Sequence, residues 1–191
     1  IAKSGKKILF VATKKQAKGI IAEAAEALNM PYITERWPGG LLTNFSTIRK
    51  SIKKMETIDK MKTDGTFDTL SKRERLQIER QRAKLEINLG SIVKMTRMPH
   101  AIFVIDTNKE RIAVTEANHL GIRVFAINDT NTNPNVINFP IPANDDAAKS
   151  INCIVTIIKQ AIEEGLEERA KDQEVKASEK KEKAKKISEE K

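Results

Sequence analysis

The chain has 191 residues, 35 Lys and Arg against 26 Asp and Glu, a formal net charge of +9 and only 4% aromatic residues. That length suits one domain, or one domain with an appendage, built on an aliphatic core beneath an ion-crowded surface. No run approaches the ~18 uncharged apolar residues of a membrane-spanning helix, the single Cys153 excludes an internal disulfide and points to a reducing compartment, and His100 and His119 are too far apart to suggest a zinc cluster.

Ile8 to Ala12 is a continuous apolar run between lysines, the pattern of a strand buried on both faces. It is too short and too closely flanked by charge to be a secretory leader. Thr13 is placed to cap a helix over 14–28, in which Ala17, Ile20, Ile21, Ala24, Ala25 and Leu28 recur at helical spacing. Asn29 and Pro31 end it, and Tyr32-Ile33 reads as a short second strand. The rhythm then breaks for about fifty residues. Phe45, Ile48, Ile52, Met55, Ile58 and Met61 form one apolar seam, and Thr63-Asp64-Gly65 interrupts it. Ser71 and Glu74 have capping-box spacing and open a second helix, whose seam reads Leu76, Ala83, Leu85, Leu89 and Ile92. Two long, highly charged helices joined by a short loop are expected to fold back as an antiparallel hairpin over 43–95. The strand–helix–strand rhythm returns at Ala101–Ile105, Asn108–Leu120 (with Ile112, Val114, Ala117 and Leu120 inward), a stop at Gly121, and Ile122–Ile127. Ser150 to Glu164 supplies a last helix, and the Glu/Lys-rich tail 166–191 reads as a solvated helical extension or a disordered arm. Buried strands alternating with helices predict an open parallel sheet flanked by helices, with the hairpin inserted.

The charge is uneven. Residues 1–100 carry 21 basic and 10 acidic side chains, net +11, and the remainder sums to −2. Such asymmetry fits a polyanion partner, because Lys and Arg release condensed counterions when they neutralise phosphates; a merely solubilising surface is the bland alternative. Enzyme motifs are missing. Neither the turn after Ala12 nor that after Ile105 carries a glycine-rich dinucleotide or phosphate-loop pattern, and no G-x-S-x-G elbow occurs. Cys153 falls in an apolar helical run and reads as core, His119 as a rim residue, and Asp145-Asp146 as N-terminal capping acids. The basic clusters are more informative. Lys14, Lys15 and Lys18 crowd a helix start, where they suit an anion or simply point into water. Arg49/Lys53 and Lys50/Lys54 are like-charge i,i+4 pairs with only Glu56 near to offset them, so this cluster is the stronger polyanion contact. On the second helix Arg75, Glu79, Arg82 and Glu86 can pair along the surface, leaving Lys72, Arg73, Arg80 and Lys84 available. Arg36-Trp37 before Pro38-Gly39-Gly40 offers stacking and phosphate contact to an RNA loop; equally, Trp37 can plug the junction of sheet and hairpin.

Arg36-Trp37-Pro38-Gly39-Gly40 followed by Thr43-Asn44 resembles the pattern R-W-x-G-G-x-x-T-N of the bacterial small-subunit ribosomal protein two family. A second match runs from Pro99 through Asp106 to Glu116-Ala117. A third joins Asp129-Thr130-Asn131 and Pro134 to Ile141-Pro142 and Asn144-Asp145-Asp146-Ala147. The resemblance spans about residues 5–165. It implies a flavodoxin-like α/β domain (1–42 and 96–165) with a protruding coiled-coil arm (43–95) and the charged tail 166–191. It further implies a non-catalytic constituent of the cytoplasmic ribosome that needs no cofactor or metal. This would bind small-subunit ribosomal RNA between head and body and contact neighbouring ribosomal proteins, including the large messenger-binding one. Two departures stand out. The family carries a further N-terminal stretch with a Gly/His-rich segment, and Thr132-Asn133 stands where an acidic residue is common. The expected RNA contacts are Lys14, Lys15, Lys18, Arg36, Trp37, Arg49, Lys50, Lys53, Lys54, Lys72 and Arg73. Two other classes stay open on the residues alone: a nucleotide-binding enzyme and a scaffold whose arm binds a partner helix.

Overall fold

The computed structural model describes the backbone of residues 1–189 and the side chains of residues 1–174. Five strands, β1 (Ile8–Val11), β2 (Tyr32–Ile33), β3 (Ala101–Ile105), β4 (Arg123–Asn128) and β5 (Phe139–Pro142), form one sheet in the order β2-β1-β3-β4-β5. Every pairing is parallel. Helices α1 (Lys15–Ala27), α2 (Phe45–Thr63), α3 (Lys72–Leu89), α4 (Arg111–His119) and α5 (Ala148–Glu189) complete the chain. The expected α/β class, a parallel sheet flanked by helices, is what the chain forms.

Period-2 alternation sorts the sheet into two cores. Leu9, Val11, Ile102, Val104, Val124 and Ala126 face α4 and the roots of α2 and α3, where Ile52, Leu89 and Ile92 are buried. Phe10, Ala12, Phe103, Ile105 and Ile127 face α1 and α5. Both sides of the central strands are therefore dry, which is why they read as unbroken apolar runs.

β5 carries no such run. Its prolines, Pro140 and Pro142, cannot donate ladder bonds, so the segment suits only the sheet edge, where its single neighbour is β4. Phe139 lies opposite Phe125, and the rings stack at 4.4 Å between centroids.

Several local expectations are corrected. Thr13 does not cap α1. The N-cap is Lys14, without a side-chain cap, and the Thr13 hydroxyl donates instead to Glu110. α4 starts at Arg111 and buries Ala113, Val114, Glu116 and Ala117, leaving Ile112 58% exposed and Leu120 40% exposed. Cys153 is exposed on α5 and not in the core. Asp145 and Asp146 do not cap α5: the Asn144 side chain accepts from the amides of Asp146 and Ala147, while both acids bond Lys14. The tail continues α5 as helix to Glu189; residues 190–191 lie outside the described part.

Between β2 and β3, α2 buries Ile52, Met55 and Ile58, and the last two belong to neither sheet core. The Ser71–Glu74 capping box opens α3 as expected. Its inward line is Ile78, Arg82, Leu85 and Leu89, whereas Leu76 is 49% exposed and Ala83 is also exposed. Contacts between the two helices descend in register. Lys62 pairs with Glu79 at 3.5 Å, Asp59 with Arg82, and Arg49 donates to the Val93 and Met95 carbonyls beyond α3. Glu79 is thus drawn to α2 and not to Arg75, which pairs with Asp68 at 3.8 Å.

Candidate nucleic-acid interface

The loop before α2 is organised by a single carboxylate. Glu116 lies on the buried side of α4, only 8% exposed. Its oxygens accept hydrogen bonds from Trp37 Nε1 (3.1 Å), from the amides of Gly40 (2.7 Å), Leu42 (2.9 Å) and Thr43 (3.2 Å), and from the Thr43 hydroxyl (3.3 Å). Gly40, at φ +83°, turns the chain so that successive amides converge on the carboxylate. Burial pushes the Glu116 carboxyl upward, but the indole and the three amides prevail and hold it below the ordinary carboxylate range. The two motif segments, 36–44 and 116–117, are therefore halves of one polar core. Trp37 is 6% exposed and packs with Leu41 and Leu42, so it plugs the junction and presents no face for base stacking. Arg36 beside it is exposed. In the sequence Glu116 stands out only as part of a motif match and carries no role there; the further signal is an acid in register with the apolar Ala113 and Ala117.

A second network fills the crevice at the carboxyl ends of β1 and β3. α1 leaves β1 toward one face and α4 leaves β3 toward the other, the place where open α/β sheets bind ligands. Here the Glu110 carboxylate accepts from the Thr13 amide (3.0 Å) and hydroxyl. Lys14, expected at an anion site, instead faces Asp146 (2.6 Å), Asp145 (2.7 Å) and Asp106 (3.2 Å), and its side chain is 14% exposed. Burial lowers the Lys14 ammonium and the three acids more than offset this, holding it above its ordinary value. Lys14 neutralises buried carboxylates and is withdrawn from the cationic surface, for a reason invisible locally: Asp145 is 131 positions away. Asp129, Asp145 and Asp146 bring carboxylate oxygens within 4.8 Å of one another, and Lys14 already gives two of them a positive partner. A nucleotide phosphate entering this crevice would meet negative charge.

The remaining cations lie on the outside. Lys15 is exposed; Lys18 pairs with Glu35 at 2.9 Å. Lys50, Lys53 and Lys54 are exposed on the side of α2 opposite its seam, and among the described residues none has a carboxylate partner within ion-pair distance. Arg49 is half-buried and held by backbone carbonyls. Lys72 and Arg73 are exposed in the first turn of α3. The structure thus gathers Lys50, Lys53 and Lys54 on one face, and leaves Lys14 and Trp37 out of it.

A family model for ribosomal protein S2 matches residues 1–165. The chain belongs to the ribosomal protein S2 family. Proteins named small ribosomal subunit protein uS2 are among its relatives. That of Parabacteroides distasonis is 66% identical over 169 residues, 88% of this chain and 61% of the relative. That of Phocaeicola vulgatus is 68% identical over 169 residues, again 88% and 61%. That of Flavobacterium johnsoniae is 63% identical over 179 residues, 94% and 70%. The chain therefore spans about three-fifths of the length of the first two. Within the S2 family pattern, the Arg-Trp-Pro-Gly-Gly and Glu-Ala segments acquire a physical reason here, because each completes the hydrogen bonding of the other.

Proposed function

We propose that this chain is a non-catalytic structural constituent of the small subunit of the cytoplasmic ribosome, binding ribosomal RNA between head and body. On this reading α2 and α3 form a protruding antiparallel coiled-coil arm on the α/β domain. The arm carries Lys50, Lys53 and Lys54 to phosphates, with Lys15, Lys18, Arg36, Lys72 and Arg73 as flanking contacts. Neighbouring small-subunit proteins, including the large messenger-binding one, complete its surroundings.

The observation that carries this reading is the unpaired lysine face of α2. Like charges at i,i+4 are locally unfavourable, and phosphate supplies the missing anion. Recognition is through backbone and shape, since the only Trp is buried and cannot stack on a base. A nucleotide enzyme is disfavoured by the carboxylates in the sheet crevice. The test is Lys50→Glu, Lys53→Glu and Lys54→Glu together, sparing Arg49 because its guanidinium holds the Val93 and Met95 carbonyls. The variant should fold with an unchanged melting temperature and be depleted from purified small subunits by at least about tenfold, roughly 1.4 kcal/mol in binding. Normal incorporation would sink the reading.

A further inference from the structure

In a parallel sheet all strands start at the same end, so the segments leading into β1, β2 and β3 lie together. This end has none of the carboxylates that fill the crevice at the other. No Asp or Glu occurs in residues 1–22, 27–34 or 87–105, and within them Lys6, Lys7, Lys94 and Arg97 are exposed. The His100 amide donates to the Lys7 carbonyl at 3.0 Å and so joins the segments that precede β1 and β3. Lys7 and Lys94 line one small groove of about 200 Å³, together with Asn29, Ser91 and Met95.

Alternation fixes the side of the sheet on which this charge falls. Leu9 and Ile102 belong to the core shared with α4 and the roots of α2 and α3, so Lys7 and His100, two positions earlier, lie on that side. The acids of α5 are across the sheet, where Glu168 takes Lys3 at 3.0 Å. On the near side, Lys94 also borders a wider groove with Glu26, Glu35 and Glu86. Glu35 and Glu86 already hold Lys18 and Arg82, which leaves Glu26 as the acid to set against four cations. Among the described residues, none of the four has a carboxylate within ion-pair distance. Cations also suit the carboxyl ends of helices, and Lys7 does serve α1 in this way, donating to the Asn29 carbonyl at 2.7 Å. Lys6, Lys94 and Arg97 make no such bond among the described residues, so their charge is free.

We propose that this end of the sheet is a second RNA seat. A backbone phosphate rests in the groove between Lys7 and Lys94, and Lys6 and Arg97 neutralise its neighbours along the strand. The seat adjoins α2, because Arg49 holds the Val93 and Met95 carbonyls on either side of Lys94. The proposal rests on the reading of the chain as an RNA-binding constituent, but it uses none of the residues assigned there.

The test is Lys6→Gln, Lys94→Gln and Arg97→Gln together, sparing Lys7 because its ammonium holds the end of α1. Against purified small-subunit ribosomal RNA, the slope of log K against log salt should fall by about 2–3 with the melting temperature unchanged. Hydroxyl-radical footprints should lose protection at nucleotides other than those lost with Lys50→Gln, Lys53→Gln and Lys54→Gln. Lys94→Gln alone, at an exposed position, should lower the slope by roughly 0.7–0.9 and decides the matter if the triple variant melts early. An unchanged slope overturns the proposal, and if binding of polyglutamate is lost instead, the face belongs to an acidic protein. The same lost protections in both triples also overturn it, since the chain would then have one RNA face. A normal α2 triple beside a defective Lys6, Lys94 and Arg97 triple would remove the α2 reading and leave this one standing.

Discussion

Glu116 accepts five hydrogen bonds from the loop it anchors, shared between the two oxygens of its carboxylate. Gln at this position keeps the shape but turns an amide N–H toward backbone N–H groups, and Ala leaves the indole and three amides without a partner. Glu116→Gln is expected to cost about 2–4 kcal/mol of unfolding free energy and Glu116→Ala more. The pH dependence has a definite sign. A carboxyl held below its ordinary value of 4.5 when folded contributes stability that is present above that value and disappears as pH falls through the folded pKa. The gap between the native chain and Glu116→Gln, followed by urea unfolding from about pH 7 to about pH 3, should therefore shrink in acid. A constant gap would show that the charge of Glu116 does not hold the loop.

Helices α2 and α3 separate what a hydrophobic period can say from what it cannot. On α2 the seam from Phe45 to Met61 was readable, since apolar residues at three- and four-residue intervals leave one choice of face. On α3 the period admits two lines. Leu76, Ala83 and Ile87 lie on one and Ile78, Leu85 and Leu89 on the other, each line with an arginine in it; the second is the buried one, and its Arg82 pairs with Asp59 across the helices and with Glu86 at 3.1 Å. An arginine inside the contact line is recognisable only once its partner helix is in place. The strand β5 was hidden for a related reason: its prolines argue against a strand until an edge position makes their missing N–H groups harmless. Lys14 looked like its neighbour Lys15 because its carboxylates come from distant loops. A pair of truncations checks the assignment of faces. Ile52→Ala, at a fully buried position on α2, should cost about 2–4 kcal/mol. Leu76→Ala should stay within about 0.5 kcal/mol. Comparable losses at both sites in urea unfolding would restore Leu76 to the seam.

At the scale of the whole molecule, net charge is a poor guide to function until its pairing is known. The chain is +9, but Lys14 is consumed by three acids and Lys18, Lys62 and Arg82 face carboxylates, so only part of that charge is free, and Lys50, Lys53 and Lys54 on α2 are one exposed group of it. If placement governs RNA affinity, two variants of equal charge must behave differently. Lys50→Gln, Lys53→Gln and Lys54→Gln together lower the formal charge from +9 to +6, and so do Lys109→Gln, Arg111→Gln and Lys149→Gln on the other half of the chain. Each lysine that neutralises a phosphate contributes roughly 0.7–0.9 to the slope of log K against log salt. The α2 triple should therefore reduce that slope by about 2–3 for purified small-subunit ribosomal RNA, and the control triple by less than about 1. Anisotropy titrations across a salt series measure both. Equal slopes for the two triples would mean that the chain meets RNA through its overall charge, and the lysine face of α2 would then have no special part in binding.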